Sequence, residues 1–453
     1  MQFLFLLPFF FSLYFIVRGQ ADKAFLNVYL PCLILLPTFY NVRLPHLPPI
    51  SPASSALIPI GLSLLFLPKI KWQFRRLDLW VVLFMVSIGL SETLREYNPK
   101  DGMVLWMQDF IEMFLAYIVG RQIIEPNLRI DTIKRIIFLV LCQAPIALYE
   151  WRFGQNPYMK YGPIFFGLYN IGWIVQLRGG TARISTSFAH PILAGMLIVV
   201  FIALNYYLYQ IYKLDKRRLG PRMSWLQQRK IPLLWLPVML YMTGSRMPMA
   251  CGVMCFLLLQ IPSFKTLKKG AIVILLAICI GGGIVYSAFE AYTNVKEGQE
   301  TDEAKSSAIY RQQLLVNYAP ILEGGGWLGW GVESFPRVPG QSSIDNDYLI
   351  LELAQGKFGK YSFLLLAFES IFTLAMYARR FQSRESTYLV FSLMGALIGI
   401  FVALGTVALF EQVIQVLFLL LGWSQSVQDT QVAGATAMSM MPEPKFRFRR
   451  VIA

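Results

Sequence analysis

Long apolar runs separated by short polar stretches recur from one end of the chain to the other. The plainest are "FLFLLPFFFSLYFIV", "LWVVLFMVSIGL", "AIVILLAICIGGGIVYSAF" and "TYLVFSLMGALIGIFVALGTVALF". Crossing a hydrocarbon core of about 30 Å takes about 20 mostly apolar residues in a helix. In lipid the backbone must bond within a helix or a closed barrel, and the short alternating segments of a barrel are absent. The pattern predicts an all-α polytopic membrane protein of about 12 transmembrane helices. They are expected over 2–17, 24–41, 56–68, 77–91, 103–120, 135–150, 188–212, 231–242, 247–261, 270–289, 348–377 and 387–410.

Between these helices two connections are long and irregular, 151–187 and 290–347, and loops of that length are usually functional or disordered. Within the second, 290–307 is polar. The stretch "AIYRQQLLVNYAPIL" spaces Ile309, Leu314, Leu315 and Ile321 as a helix resting on a membrane surface would, and "EGGGWLGWGVESF" combines turn glycines with interfacial tryptophans. The run 411–423 is too short to span and reads as re-entrant or interfacial, and the segment from Ser424 reads as a solvated tail. Three regions result: N-terminal transmembrane helices over 1–150, a functional membrane region over 151–423 that includes the outer loop 290–347, and a polar C-terminal tail over 424–453.

Composition supports the membrane reading: 56% of residues are hydrophobic and 15% charged, where soluble domains carry about a quarter charged residues. A net charge of +15 would suggest nucleic acid in a soluble domain, but the basic residues gather in "KIKWQFRR", "KLDKRRLGPRMSWLQQRK", "KTLKK" and "RRFQSR". Short Lys/Arg-rich connections mark the cytoplasmic side, so the charge is a topology signal reinforced by anionic lipid, with no nucleic-acid partner. Alternation from those four loops places 151–187, 243–246 and 290–347 outside, and the N-terminus outside too. The first run lacks a basic start and a small-residue cleavage pattern, so it reads as a retained helix and not a signal peptide. The five cysteines, Cys32, Cys142, Cys251, Cys255 and Cys279, lie in apolar segments and read as small hydrophobes, with no disulfide framework.

Four short motifs then fall on the outer side. "RISTSFAHPILAG" brings Arg183, and His190 with Pro191 at a helix entrance; "TGSR" ends in Arg246 at a tight turn; the loop helix carries Arg311; "SIDNDYL" carries Asp345, Asn346 and Asp347 before an apolar run. Each has an ordinary structural alternative. Arg183 can snorkel to headgroups, Arg311 can sit on a solvated helix face, and His190, Asp345 or Asn346 can cap a helix. Arg246, in a turn too short for easy snorkelling, calls for a partner. Together, three guanidinium groups with a carboxylate opposite suit a ligand of clustered negative charge such as a diphosphate, because the planar fork bonds phosphate oxygens bidentately and stays charged. No nucleotide-binding fingerprint is present, and "DND" without a His/Asp/Glu cluster does not complete a metal site.

With those motifs assembled, the chain resembles the O-antigen ligase-like membrane proteins, which include O-antigen ligases and polysaccharide polymerases. "RISTSFAHP", "TGSR", "YRQQLLVNYAPILEGGGWLGWGVESF" and "SIDNDYLILELAQGKFG" carry the resemblance over about 180–380; residues 1–150 agree only as a string of membrane helices. The resemblance implies a bacterial inner-membrane protein with a large periplasmic loop. It implies transfer of a glycan from an undecaprenyl-diphosphate carrier to a sugar or lipid A-core acceptor on the periplasmic face, without cofactor or obligatory metal. Arg183, Arg246 and Arg311 would hold the diphosphate. Ligases commonly place a His before the conserved Asn as the proposed base; here Asp345 stands there with Asn346 retained, which shifts weight from lipid A-core ligation towards polymerisation. Asp345 is the first candidate base and His190 the second, with Asn346 positioning the acceptor hydroxyl. Trp327 and Trp330 read as interfacial anchors or sugar-stacking rings.

A non-catalytic polysaccharide transporter is the other reading. It predicts broken helices and charge near the midplane, where Glu112, Glu352 and Glu369 are the main candidates.

Overall fold

A computed structural model describes residues 2–69, 72–95, 99–166, 174–214, 231–293, 303–341, 343–380 and 383–440. The basic segment 215–230 lies outside them. A 3-10 turn, Gln2–Leu6, opens into α1 (Leu7–Val17). Then come α2 (Ala21–Ala24) and α3 (Leu30–Leu35), joined through a π-helical turn Phe25–Tyr29, followed by α4 (Pro52–Phe66) and α5 (Arg76–Arg95). A second π turn, Phe110–Leu115, joins α6 (Pro99–Asp109) to α7 (Ala116–Ile123). After these come α8 (Arg129–Cys142), α9 (Ala144–Phe153) and α10 (Pro157–Phe166). A hairpin of two-residue strands, β1 (Leu177–Arg178) and β2 (Thr181–Ala182), precedes α11 (Pro191–Leu214). The rest is α12 (Ile231–Met242), α13 (Arg246–Gln260), α14 (Leu267–Thr293), α15 (Glu303–Gly325), α16 (Asp347–Ala378), α17 (Arg384–Ala403) and α18 (Gln412–Met440).

Local chemistry sets several boundaries. Ser51 caps α4 by accepting Ser54 N–H at 3.1 Å, Asn346 caps α16 through Leu349 N–H at 3.2 Å, and Ser383 caps α17 through Ser386 N–H at 3.2 Å. Pro191 stands first in α11, where its missing N–H costs nothing. The helix expected over 24–41 stops at Leu35 because Leu36, which precedes Pro37, is driven into an extended conformation. The α10 helix was not expected.

Among the described residues seven helical segments are long and apolar enough to cross a membrane: Arg76–Arg95, Lys100–Ile123, Arg129–Phe153, Pro191–Leu214, Arg246–Ser263, Asp347–Ala378 and Arg384–Thr406. The expectation was about 12; three further apolar helices, Gln2–Val17, Pro52–Phe66 and Ile231–Met242, are shorter than a full crossing. The chain is mostly helical, and its apolar helices are compatible with a multi-pass membrane protein.

The core forms where α11 and α17 pack on each other and α18 lies along α7. Here the structure corrects the sequence. The run from 411 is not a short re-entrant piece, and the expected solvated tail does not begin at Ser424. A single helix, α18, runs on to Met440, and Ser424, Gln425, Ser426, Val427 and Gln428 are all buried. The polar residues Ser424, Gln425, Ser426 and Gln428 face protein, so hydropathy alone ends the helix too early. Gly120 and Gly422 let the α7 and α18 backbones touch, since a Cβ would lie 2.1 Å from Leu419 O in one case and 2.0 Å from Tyr117 O in the other.

At one end of the bundle, the start of α5, the end of α7 and α18 are tied by charge. Arg121 pairs with Asp78 and, at 3.3 Å, with Asp429. Arg75 Nε donates to Asp429 at 2.7 Å, and Tyr117 donates to Asp78. Arg75 also reaches the Tyr377 hydroxyl at 3.4 Å, so the basic clusters 69–76 and 379–384 share this end, as the alternation expects.

At the opposite end α16 breaks at Gly356 (φ +67). The loop after α15 fills the gap. Trp330 and Gly331 N–H donate to the freed Leu353 and Ala354 carbonyls at 2.8 and 2.9 Å, while Lys357 and Phe358 N–H reach Gly326 and Trp327 carbonyls at 3.2 and 3.1 Å. A Cβ on Gly356 would sit 2.4 Å from Gly329 N, so only glycine fits. The loop helix α15 is not simply laid on a membrane surface. Leu314 and Tyr318 pack with Phe335, Ile344, Leu349 and Leu353 at the start of α16, while Leu315 is exposed.

Candidate functional site

Three loop structures meet at the cavity end. The first is the segment 183–190 before α11. It runs through two non-glycine residues of positive φ, Thr186 (+51) and Ala189 (+56), a strained course that needs an anchor. Glu150, fully buried near the end of α9, supplies it: its carboxylate accepts from Ser185 N at 3.0 Å, Ser185 Oγ at 2.9 Å, Thr186 N at 2.8 Å and Asn156 Nδ2 at 3.0 Å. The second is the turn 243–245, whose Gly244 (φ +58) would bring a Cβ within 3.1 Å of the Arg183 side chain. The third is α15 with the segment leading into α16.

The turn is a receiver for arginines. Arg183 Nε donates to Thr243 O at 3.0 Å, its Nη2 to Ser245 Oγ at 2.8 Å and its Nη1 to Gln176 Oε1 at 2.6 Å. Arg178, on β1, donates to Gly244 O at 2.7 Å. Gln176 also touches His190 Nε2 at 2.9 Å, and His190 Nδ1 accepts from Ile192 N–H at 3.2 Å, capping α11. Across the gap Arg311 Nη2 lies 3.6 Å from Asp345 Oδ2, and Asp345 Oδ1 accepts from Ser343 Oγ at 3.0 Å. Arg311 Nε is buried with no hydrogen-bond partner among the described residues.

Between these groups lies a cavity of about 520 Å³, within the size range of small-ligand sites. Its polar wall is Gln176, Arg178, Arg183, His190, Arg311 and Asp345; Ile192, Ile350, Val407 and Phe410 form the apolar side. The loop bearing Val407 and Phe410 is held by Asp347, buried in the first turn of α16, which accepts Leu409 N–H at 2.8 Å. Among the described lining residues three guanidinium groups face one carboxylate, so the cavity favours an anion. Burial, and then the charge of Arg183, push the His190 ring down to about 4, so it is neutral near pH 7.

The structure therefore brings Arg183, Arg311, His190 and Asp345 together and leaves two expected site residues aside. Arg246 begins α13 exposed and does not line the cavity, while the carbonyls and hydroxyl of its turn accept from Arg183 and Arg178. Asn346 spends its side-chain oxygen on the α16 cap. Glu352 pairs with Lys360 across the helix break and does not line the cavity. Trp330 donates to Ile321 O at 3.0 Å, and Trp327, 66% exposed, stands away from the cavity, so neither ring is placed to stack there.

Sequence reasoning missed Arg178 and Gln176. The signal available was "QLRGGTAR", a two-glycine turn flanked by arginines that reads as a hairpin. Glu150 was missed as well, since it closes an apolar run and contacts the site segment only through the fold. No protein-family model matches the chain, and no curated protein matches it.

Proposed function

We propose that this protein is a membrane glycan transferase of the O-antigen ligase-like kind, a surface-polysaccharide polymerase or ligase. It moves an oligo- or polysaccharide from an undecaprenyl-diphosphate carrier to a sugar hydroxyl. The observation that carries the reading is the clustering of Arg178, Arg183 and Arg311 around one cavity with Asp345 opposite. The arginines hold the diphosphate and stabilise the charge that grows on its bridging oxygen as the anomeric C–O bond breaks. The acceptor hydroxyl attacks the anomeric carbon from the other face, its proton passes to the Asp345 carboxylate, and the electron pair of the broken bond leaves with the carrier diphosphate. Compared with the expectation from sequence, Arg178 takes the place assigned to Arg246, and Asn346 supports the site by capping α16. The distribution of basic connections supports a cavity on the periplasmic face of a bacterial inner membrane.

The test is purified protein in detergent given lipid-diphosphate-linked glycan and a sugar acceptor. Release of free carrier diphosphate with a longer or newly attached glycan is expected from the wild type and is lost in Arg311→Ala. Glycan transfer at wild-type rate by that variant would remove the basis for the reading.

A second reading, passive export of polysaccharide, is favoured by the break in α16 at Gly356 and by the buried carboxylates Glu92 and Glu112. Glu112 sits in the second π turn and accepts from Ser54 Oγ at 3.1 Å. In the same assay an exporter releases no carrier diphosphate.

A further inference from the structure

Away from the cavity, α1 packs on α4, on α2 and on the π turn Phe25–Tyr29. Between α1 and that turn lies a groove of about 470 Å³, with Leu7, Phe11 and Phe15 on one side and Val28 and Pro31 on the other. Asn27 adds a polar point to an otherwise apolar wall. Its amide is held from α8. Arg135 Nη2 donates to Asn27 Oδ1 at 3.1 Å, and Arg135 Nε donates to the Leu26 carbonyl at 3.1 Å. That carbonyl is open for a local reason: the Leu30 N–H goes to Phe25 O, and Pro31, next in line, has no N–H to give.

Both partners of Arg135 are neutral. Asp131, one turn earlier on α8, lies 3.7 Å from Lys134, and Asp22 lies 2.9 Å from Lys69. Among the described residues no carboxylate comes within ion-pair distance of Arg135. The residue stands in the apolar segment Arg129–Phe153, where an uncountered charge is costly and calls for an anion. A guanidinium also has more N–H groups than the two used here.

We propose that the groove holds a phospholipid, with one acyl chain along α1 and the phosphodiester bonded by the remaining Arg135 N–H groups. The ligand class follows from the juxtaposition of an apolar trough, which suits a hydrocarbon chain, and a fixed cation with donors left over. Lys69 opens the basic connection 69–76 and meets α2 through Asp22, so Asn27 lies towards the basic end of the bundle. The lipid therefore belongs to the leaflet at that end. The site is separate from the cavity and does not depend on the reaction proposed there.

The test is native mass spectrometry of the detergent-solubilised full chain, titrated with phosphatidylglycerol or with a diacylglycerol of the same chains, which lacks the phosphate. The wild type is expected to bind one phosphatidylglycerol about tenfold more tightly than the diacylglycerol, as a charged hydrogen bond would give. Arg135→Gln should erase that preference, and Arg135→Lys should keep most of it. Leu7→Trp fills the groove from a side chain already 45% exposed, and should weaken uptake of both lipids about tenfold. Equal uptake of the two lipids by the wild type, or an unchanged preference in Arg135→Gln, overturns the phosphate contact. Equal loss of preference in Arg135→Lys and Arg135→Gln overturns the role of charge. Wild-type uptake in Leu7→Trp overturns the groove as the seat, and no phosphatidylglycerol on the wild type overturns the site altogether.

Discussion

The chain keeps two groups of arginines and carboxylates at opposite ends of the bundle, and they are built on opposite principles. At the end near Arg75, two arginines meet two aspartates, and Arg121 and Asp78 are 1% and 3% exposed. Tyr117 and the Trp72 ring, 4.2 Å from the Arg121 guanidinium, complete the enclosure. At the cavity end, among the described lining residues, three arginines face one aspartate, and Arg311 and Asp345 are 33% and 38% exposed at 3.6 Å. Matched, enclosed charge holds helices together, because losing either partner strands the other in a medium that cannot solvate it. Unmatched charge at a cavity wall is a poor fastening and a good receptor. A count of arginines does not separate the two; the ratio of partners and the access to solvent do.

The comparison breaks most directly at the enclosed end. Asp78→Ala is expected to cost about 3–5 kcal/mol, read as a fall in the thermal midpoint in detergent or as loss of folded protein, because Arg121 is left buried and underpaired. An unchanged midpoint would show that the cluster is not a fastening. At the open end, Arg311→Ala is expected to lower carrier release by about a hundredfold. The thermal midpoint should stay near wild type, since half-exposed pairs add little stability. The geometry is sharpened by a pair of variants: Arg178→Ala should lower transfer about tenfold, and Arg246→Ala, outside the cavity, by less than about twofold. The reverse order would restore the assignment made from sequence.

Acid gives a smaller effect at the same end. Burial and Arg183 hold the folded His190 ring down to about 4, against about 6.5 in an unfolded chain. Between those values the unfolded state binds the proton first, so stability falls as the pH drops through that window and is flat above it. His190→Gln should lose this part of the slope in melts recorded across the window. Smallest of all, Asn346→Ala should cost about 1 kcal/mol through the lost α16 cap, with transfer reduced only as far as the start of α16 loosens.

Much of the helical framework was legible because its causes are local. Apolar runs, Ser and Asn caps and entry prolines act within a few residues, and they place α12 at Ile231–Met242 and α16 at Asp347–Ala378 close to expectation. The same local reading failed at α18, where Ser424–Gln428 are polar in sequence and buried in the fold. Asp429, in that same helix, takes part in the enclosed charge cluster. At the candidate site, Arg183, Arg311 and Asp345 were legible as charges beside helix ends, whereas the choice of Arg178 over Arg246 was not.

By itself, then, the sequence determines a helical chain with apolar spans and arginines in its connections, since transfer free energy and capping are properties of short segments. Only the tertiary structure decides which of those arginines share a cavity, that Glu150 holds the segment carrying two of the candidate site residues, and that a polar stretch belongs in the core. Those outcomes depend on contacts between residues far apart in the chain, and no short segment contains the partner that settles them.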